Sequence, residues 1–357
     1  MIARAGRPRR GSIACALASA VLFGLSAPAA KVLLAVTDAW LLAGLLYLGS
    51  GLSLTAYRVA RRMVSRAPAR EAALVAQDCT WLAAAILCGG VAGPVLLMFG
   101  LARGSVAESV LLLNLEGVFT AGLAWAVFRE HVDRRIAAGM AAIAAGAMIL
   151  TWQPSGPLRF SGSALMIIGA CLAWAFDNNL TRKVSASDPL QIAALKGLVA
   201  GTVNIAIALW LGAKLPDGGT LALATVVGAV GYGVSLVLFI LALRGLGAGR
   251  TGAYFSTAPF VGALGGILAL HEPMTTQLMI AGGLMAAGLW LHLSERHAHK
   301  HLHEPLEHDH RHVHDAHHQH AHPAGLPSGE PHTHWHRHEA LSHSHPHFPD
   351  IHHRHDH

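Results

Sequence analysis

The sequence predicts an all-α polytopic membrane protein, with ten transmembrane helices laid out as two inverted five-helix repeats and a disordered cytoplasmic tail after them. Three observations predict it. Apolar runs of about 20 residues, the length that crosses ~30 Å of hydrocarbon, recur along the first 294 residues. Within that stretch the chain repeats itself at a fixed offset. At Ser294 the composition changes abruptly, since 23 of the 26 histidines lie between Glu295 and His357.

The runs fall at 13–34, 39–60, 80–101, 106–127, 135–152, 161–181, 190–212, 221–243, 250–271 and 277–294. They are rich in Ala, Leu, Gly, Val and Ile, and the few charges cluster between them instead of spreading over helix faces. The first run follows Arg9 and Arg10 and contains Ala27-Pro28-Ala29, the outline of a secretory signal with a cleavage site. A counterpart at 161–184, in mid-chain, argues that the run is retained as a span. Lys and Arg between the runs set the orientation. With the N-terminus inside, 16 of them fall in inner segments, against Arg103, Arg159 and Lys214 outside and Lys31 at the outer end of the first run. Both termini are therefore expected in the cytoplasm, in a multi-pass protein of the cell inner membrane. The formal net charge of +6 hides a split, with 21 Lys and Arg against 11 Asp and Glu up to residue 294 and 5 against 9 beyond it. The cations flank apolar runs without forming a basic face interleaved with aromatics, which argues against a nucleic-acid partner. Cys15, Cys79, Cys88 and Cys171 form no Cys-x-x-Cys pair, so no disulfide framework is expected.

The stretch "FGLARG" at 99–104 returns as "FILALRG" at 239–245. An offset of 142 pairs Ala121 with Ala263, Glu130 with Glu272, and Ala144-Ala145-Gly146 with Ala286-Ala287-Gly288. Earlier, "LFGLSAPAAK", ending at Lys31, aligns with "WAFDNNLTRK", ending at Lys183, which pairs Ser26 with Asn178. Five spans is an odd number, so the second copy enters from the opposite side, placing Glu130 at the inner surface and Glu272 at the outer. At these residues the chain resembles the EamA family of the drug/metabolite transporter superfamily, over roughly 11–294. That family typically shows an aromatic-rich first helix ending in Lys, a small-polar-x-x-Ala stretch after an Ala-Leu-basic motif, and a Gly-Glu or similar pair closing the fourth helix of each half. Here these are Lys31 and Lys183, "LARGSVAES" and "LALRGLGAGR", and Arg129-Glu130 and His271-Glu272. Arg129 and His271 depart from the usual Gly, and Phe23-Gly24 from the frequent Trp-Gly. The resemblance implies a ten-helix bundle with a central cavity between the halves that moves small metabolites or amino acids, often outward.

Charged groups inside a bilayer are costly and face a cavity or a partner. Asp177, on the sixth run, and Lys196, on the seventh, both fall ~8–11 Å below the inner surface at ~1.5 Å per residue, close enough to pair. Two readings stay open for them, an inner gate or proton-linked switch and a neutralised pair that pins two helices. Glu108 starts the fourth run near the outer surface, and Glu116, eight residues on, lies near the midplane on roughly the same face. Asn114 beside it offers an amide at the depth where a substrate amine or cation would bind, and a desolvated carboxyl there can carry a proton instead of a charge. The alternative is a neutral Glu bonded within the bundle. Of the polar run Asp177-Asn178-Asn179, Asn178 is the residue expected at the cavity, and Trp174, Tyr232 and Tyr254 are either route-lining or packing. No P-loop, Gly-x-Ser-x-Gly elbow or HExxH is present, and no enzyme is expected.

After Ser294 the chain has few large apolar residues and prolines at 305, 323, 327, 331, 346 and 349, so it cannot bury a core that offsets the entropy of ordering. Alternating His-x-His with interspersed carboxylates offers several two- to four-ligand sites for Zn, Ni, Co or Cu. The ligands named are His303, His308, His310, His312, His314, His317, His318, His320, His322, His332, His334, His336 and His338. Such a tail binds metal adaptably, more weakly below a pH of about 6.5. Three functions follow: a secondary transporter exporting a small metabolite by alternating access, a transporter of divalent metal or a metal complex whose tail collects cargo, and a membrane-anchored metal-storage or sensor protein. The expected partners are the lipid bilayer and a small-molecule or ion substrate. A homodimer is an open option, and no cofactor is required.

Overall fold

A backbone in hydrocarbon must satisfy its own hydrogen bonds, so the apolar runs fold as helices. The computed structural model describes residues 10–64, 78–128, 134–152, 161–181, 184, 188–246 and 248–293, and the backbone of 298–303, 306–312, 332–338 and 341–346. The first half contains α1 (Arg10–Leu33) and α2 (Ala39–Val64), then α3 (Asp78–Ala85), which runs through a π-helical turn at Ile86–Ala92 into α4 (Gly93–Arg103). A broken span follows, α5 (Val106–Leu112) and α6 (Leu115–Phe128), and then α7 (Arg134–Thr151). The second half repeats this order with α8 (Gly162–Thr181) and α9 (Pro189–Trp210), then α10 (Gly218–Gly228), a π-helical turn at Ala229–Val234 and α11 (Ser235–Leu246). Its broken span is α12 (Ala248–Phe255) and α13 (Ala258–Ala269), and α14 (Thr276–Leu293) ends it. Among the described residues nine helices are long and apolar enough to cross a bilayer, and Thr276–Leu291 is a shorter apolar helix. The ten spans therefore stand where the sequence places them. Four of them are not continuous α-helices, however, and each interruption in one half has its counterpart in the other.

The duplication is visible atom by atom where α7 packs along α14. A methyl group built on Gly146 would come within 2.9 Å of the Ala281 carbonyl oxygen and 2.8 Å of Met285; one on Gly288 would come within 2.6 Å of the Gly139 oxygen and 2.9 Å of Ile143. Adding 142 to Gly139, Ile143 and Gly146 gives Ala281, Met285 and Gly288, so the two contacts are images of each other across a pseudo-two-fold axis. Small residues let helix backbones approach in membranes, where apolar burial alone does not drive association. The seam of α2 with α9 uses the same device, with Gly51 against Gly197. Leu41, Leu42, Leu46, Met98, Leu101, Ile167 and Met285 fill the interior, while Leu17, Trp125, Leu165, Trp210, Leu268 and Trp290 are exposed, as a lipid-facing girdle requires.

Helix ends are closed by specific side chains. Asp188 accepts from the Leu190 amide at the start of α9, and Asp217 accepts from the Gly219 and Thr220 amides and the Thr220 hydroxyl at the start of α10. Those bonds, the Thr220 hydroxyl first, hold the Asp217 carboxyl below the usual carboxylate range. Glu272 closes a helix of the opposite half: its carboxylate accepts from the Val106 and Ala107 amides at 2.7 and 2.8 Å and from the Ser105 hydroxyl at 2.8 Å. The Lys31 ammonium donates to the carbonyls of Leu101 and Gly104, at 2.5 and 2.9 Å, closing the end of α4. His271, before Glu272, sits at a φ of 56°, in the left-handed region.

In the tail the backbone forms two separate two-stranded antiparallel ladders, β1 (Ala298–His303) with β4 (Leu341–Pro346) and β2 (Leu306–His312) with β3 (His332–His338). Neither is a sheet of the size that stands alone in water, which agrees with a segment lacking a packed core.

Candidate functional site

The π-helical turn at Ile86–Ala92 positions the centre of the molecule. A π turn widens the helix and frees carbonyls for neighbouring side chains. The Gly89 carbonyl accepts from both the Tyr47 hydroxyl and the Trp174 indole, each at 2.9 Å, and the Gly90 carbonyl accepts from Asn204 at 3.0 Å. Gly89 is also where Asp177 approaches most closely, since a methyl group there would lie 1.9 Å from the Asp177 carboxylate. In the second half Gly231 takes the equivalent place, and its added methyl would meet Ser26 at 2.6 Å. The structural partner of Ser26 is therefore Asp177, not Asn178, and the repeat is offset there by one residue from the sequence alignment.

Between the halves lie two lobes of one cavity, of about 450 and 480 Å³. Phe23, Tyr47, Tyr232 and Phe255 line both lobes. Phe23 meets Tyr232 edge-on at 5.5 Å between ring centres and Phe255 at 5.4 Å, and Tyr47 stands 5.9 Å from Tyr232. The first lobe holds Asn114, Glu116, Trp174 and Ser256, at the level where both broken spans change helix. The second holds Asp177, Thr181 and Lys196.

Asn114 fills the break between α5 and α6 by donating its amide to the Leu111 carbonyl at 2.8 Å. Glu116 is in the first turn of α6. Its Oε1 accepts from the Asn178 amide at 2.9 Å, and Oε2 takes no hydrogen bond from any described residue. Asp177 and Lys196 form an ion pair in which the ammonium donates to both carboxylate oxygens, at 2.5 and 2.7 Å, and Thr181 donates to the first at 2.9 Å. The side chains are 10% and 16% exposed, so the pair is largely shut off from solvent.

The structure thus puts Glu116 and Asn114 in one lobe and pairs Asp177 with Lys196 in the next, whereas Asn178, the residue expected at the cavity, is exposed and lines neither lobe, reaching Glu116 only through its amide. Glu108 departs from expectation. It lies in the first turn of α5 and lines a separate polar pocket of about 270 Å³ with Ser109, Thr151, Ser163 and Gln277. Glu272 and Lys31 close helix ends, while Glu130 and Lys183 lie outside the described residues. Trp174 and Tyr232 line the cavity; Tyr254 does not line either lobe. Sequence reasoning missed Tyr47, Phe255, Ser256 and Gly89. The repeat at offset 142 carried a signal for one of them, since it pairs Gly89 with Gly231.

Of the tail ligands, His303, His308, His310, His312, His332, His334, His336 and His338 fall on described strand backbone, whereas His314, His317, His318, His320 and His322 lie outside it. Among the residues whose side chains are described, no group of three or more His, Cys, Asp or Glu converges as a metal site.

Ten spans in two inverted halves around a two-lobed cavity, with intramembrane charges that line it, define a polytopic membrane transporter of the duplicated type. The EamA-like transporter family matches residues 10–152 and 161–294, one match per half, and the chain belongs to that family. A protein of Methanothermobacter thermautotrophicus (strain Delta H) described as an uncharacterized transporter is 26% identical over 288 residues, covering 77% of this chain and 84% of its own. The fold is also that of a solved crystal structure that is 17% identical, with a TM-score of 0.57 over 79% of this chain and 96% of that one.

Proposed function

We propose that the protein is a secondary transporter that exports a small organic solute by alternating access, and that its histidine-rich tail binds divalent metal on the cytoplasmic side. The observation that carries the first part is the two-lobed cavity: the aromatic cluster of Phe23, Tyr47, Tyr232 and Phe255 stands between a lobe holding Glu116 and one holding the Asp177–Lys196 pair. In an inverted duplication the two halves exchange arrangements to open the cavity to one side and then the other. An aromatic constriction between lobes is a place where such a change reads out. The test is solute counterflow in proteoliposomes carrying the full chain. Flux that no substitution at Phe23 or Tyr232 alters would remove the cavity from the path.

The tail reading is supported by strand register. His308 is opposite His336, His310 opposite His334 and His312 opposite His332 in one ladder; His299 is opposite His345 and His301 opposite His343 in the other. The same segments alternate His-x-His with interspersed carboxylates, the ligand types that hold Zn, Ni, Co or Cu. A second reading, transport of the metal itself or of a metal complex, rests on this tail. Metal content and tolerance of cells expressing the full chain, a truncation after Ser294, or neither separate the two. If removing the whole protein leaves both unchanged, neither metal role stands.

A further inference from the structure

We infer that the lobe around Glu116 selects organic solutes carrying a single positive charge, an ammonium on an apolar or aromatic body. The inference rests on the transport reading only in taking this cavity as the solute site.

The charge balance of the cavity carries it. Among the described residues, three acidic or basic side chains line the two lobes: Glu116, Asp177 and Lys196. The last two cancel, the ammonium lying against both oxygens of one carboxylate. That leaves one carboxylate, Glu116, with one oxygen held by Asn178 and the other without a hydrogen-bond donor among the described residues. Helix dipoles do not neutralise it. At the break beside Glu116 the C-terminus of α5 meets the N-terminus of α6, and across the cavity α12 meets α13 in the same way, so opposite half-charges adjoin at each break.

The rest of the lining fits the same class of solute. Phe23, Tyr47, Trp174, Tyr232 and Phe255 present ring surface, which attracts a desolvated cation as well as burying apolar area. The volume of about 450 Å³ is in the range of small-molecule sites. A bare divalent metal is a poorer fit, because it needs four or more ligands and, among the described residues lining this lobe, Glu116 is the one carboxylate, with no His or Cys beside it. An anionic solute would meet Glu116 with no unpaired cationic side chain among the described lining residues to compensate it.

The experiment uses the full chain in nanodiscs and three probes of similar size, phenethylammonium, phenethyl alcohol and phenylacetate, read by tryptophan fluorescence and by isothermal titration. Phenethylammonium should bind at least tenfold more tightly than the other two. Glu116→Gln, which keeps an acceptor for Asn178, should remove that preference, and Glu116→Asp, which keeps the charge, should retain it. Elution of each variant as a single species checks folding, and Glu116→Asp holds the test open if the Gln variant fails to fold. Equal binding of all three probes, binding of none, or an unchanged preference in Glu116→Gln would overturn the inference. Counterflow failing while the ammonium preference survives would sink the transport reading instead, leaving the site.

Discussion

His271 holds a φ of 56°, a conformation that a residue with a side chain adopts at a cost of about 1–3 kcal/mol. The turn is needed to bring Glu272 against the amides of Val106 and Ala107. His271→Gly should therefore raise the melting temperature in detergent, and His271→Val should lower it, with the Glu272 contacts intact in both. The Asp177–Lys196 pair makes the opposite demand. Asp177→Ala strands an ammonium in a largely buried site and should destabilise by about 3–5 kcal/mol. Exchanging the two residues, Asp177→Lys with Lys196→Asp, should recover expression and melting temperature if the pair is a pin between α8 and α9, without by itself restoring transport. Gly89→Ala should mimic the loss of Asp177, since the added carbon would stand within 1.9 Å of its carboxylate. At this scale the sequence revealed charges but not their surroundings. Asp177 and Lys196 are conspicuous in apolar runs, whereas Tyr47 is a single aromatic among leucines, and its importance comes from a carbonyl freed by a π turn that hydropathy does not register.

Elements depend on their ends. Removing the Glu272 carboxylate by substitution with Ala should cost about 1–2 kcal/mol through loss of the α5 cap. The readout is faster hydrogen exchange at the amides of Val106 and Ala107, with the rest of the chain little changed. Asp217 gives a pH signature. Its folded carboxyl titrates below the unfolded value, so the cap contributes fully above the unfolded pKa and fades as pH falls through the folded one. The melting-temperature gap between the native chain and Asp217→Asn should therefore close on acidification and be constant near neutrality. Span positions were legible because every run has the length of a bilayer crossing. Their interruptions were not: Leu113-Asn114 and Ser256-Thr257 are two residues each, too short to divide an apolar run of span length. Glu108 and Glu116, eight residues apart on the fourth run, line different pockets, which spacing along the run does not reveal.

On the scale of the whole molecule, the pseudo-two-fold axis makes a quantitative prediction. Gly146→Leu and Gly288→Leu strike image contacts in the α7–α14 seam, so their melting-temperature losses should agree closely, although 142 residues separate them. A large difference would mean that one half bears the seam alone. The duplication was legible from paired motifs, most clearly Glu130 with Glu272, but the pairing of Ser26 slipped by one residue, because "LSAPAAK" and "DNNLTRK" share a lysine and little else. Contacts corrected it where letters did not.

The carboxylate of Glu272 reaches across 166 positions of chain to the amide of Val106. During synthesis the fourth span must enter the membrane long before its cap exists, with the amides of Val106 and Ala107 held by water or lipid headgroups. Assembly of the first half is thus completed from the second, and the order of biogenesis is written into the cap. An isolated first half should insert yet remain open to labelling of a cysteine placed at Val106, and co-expression of the second half should close it.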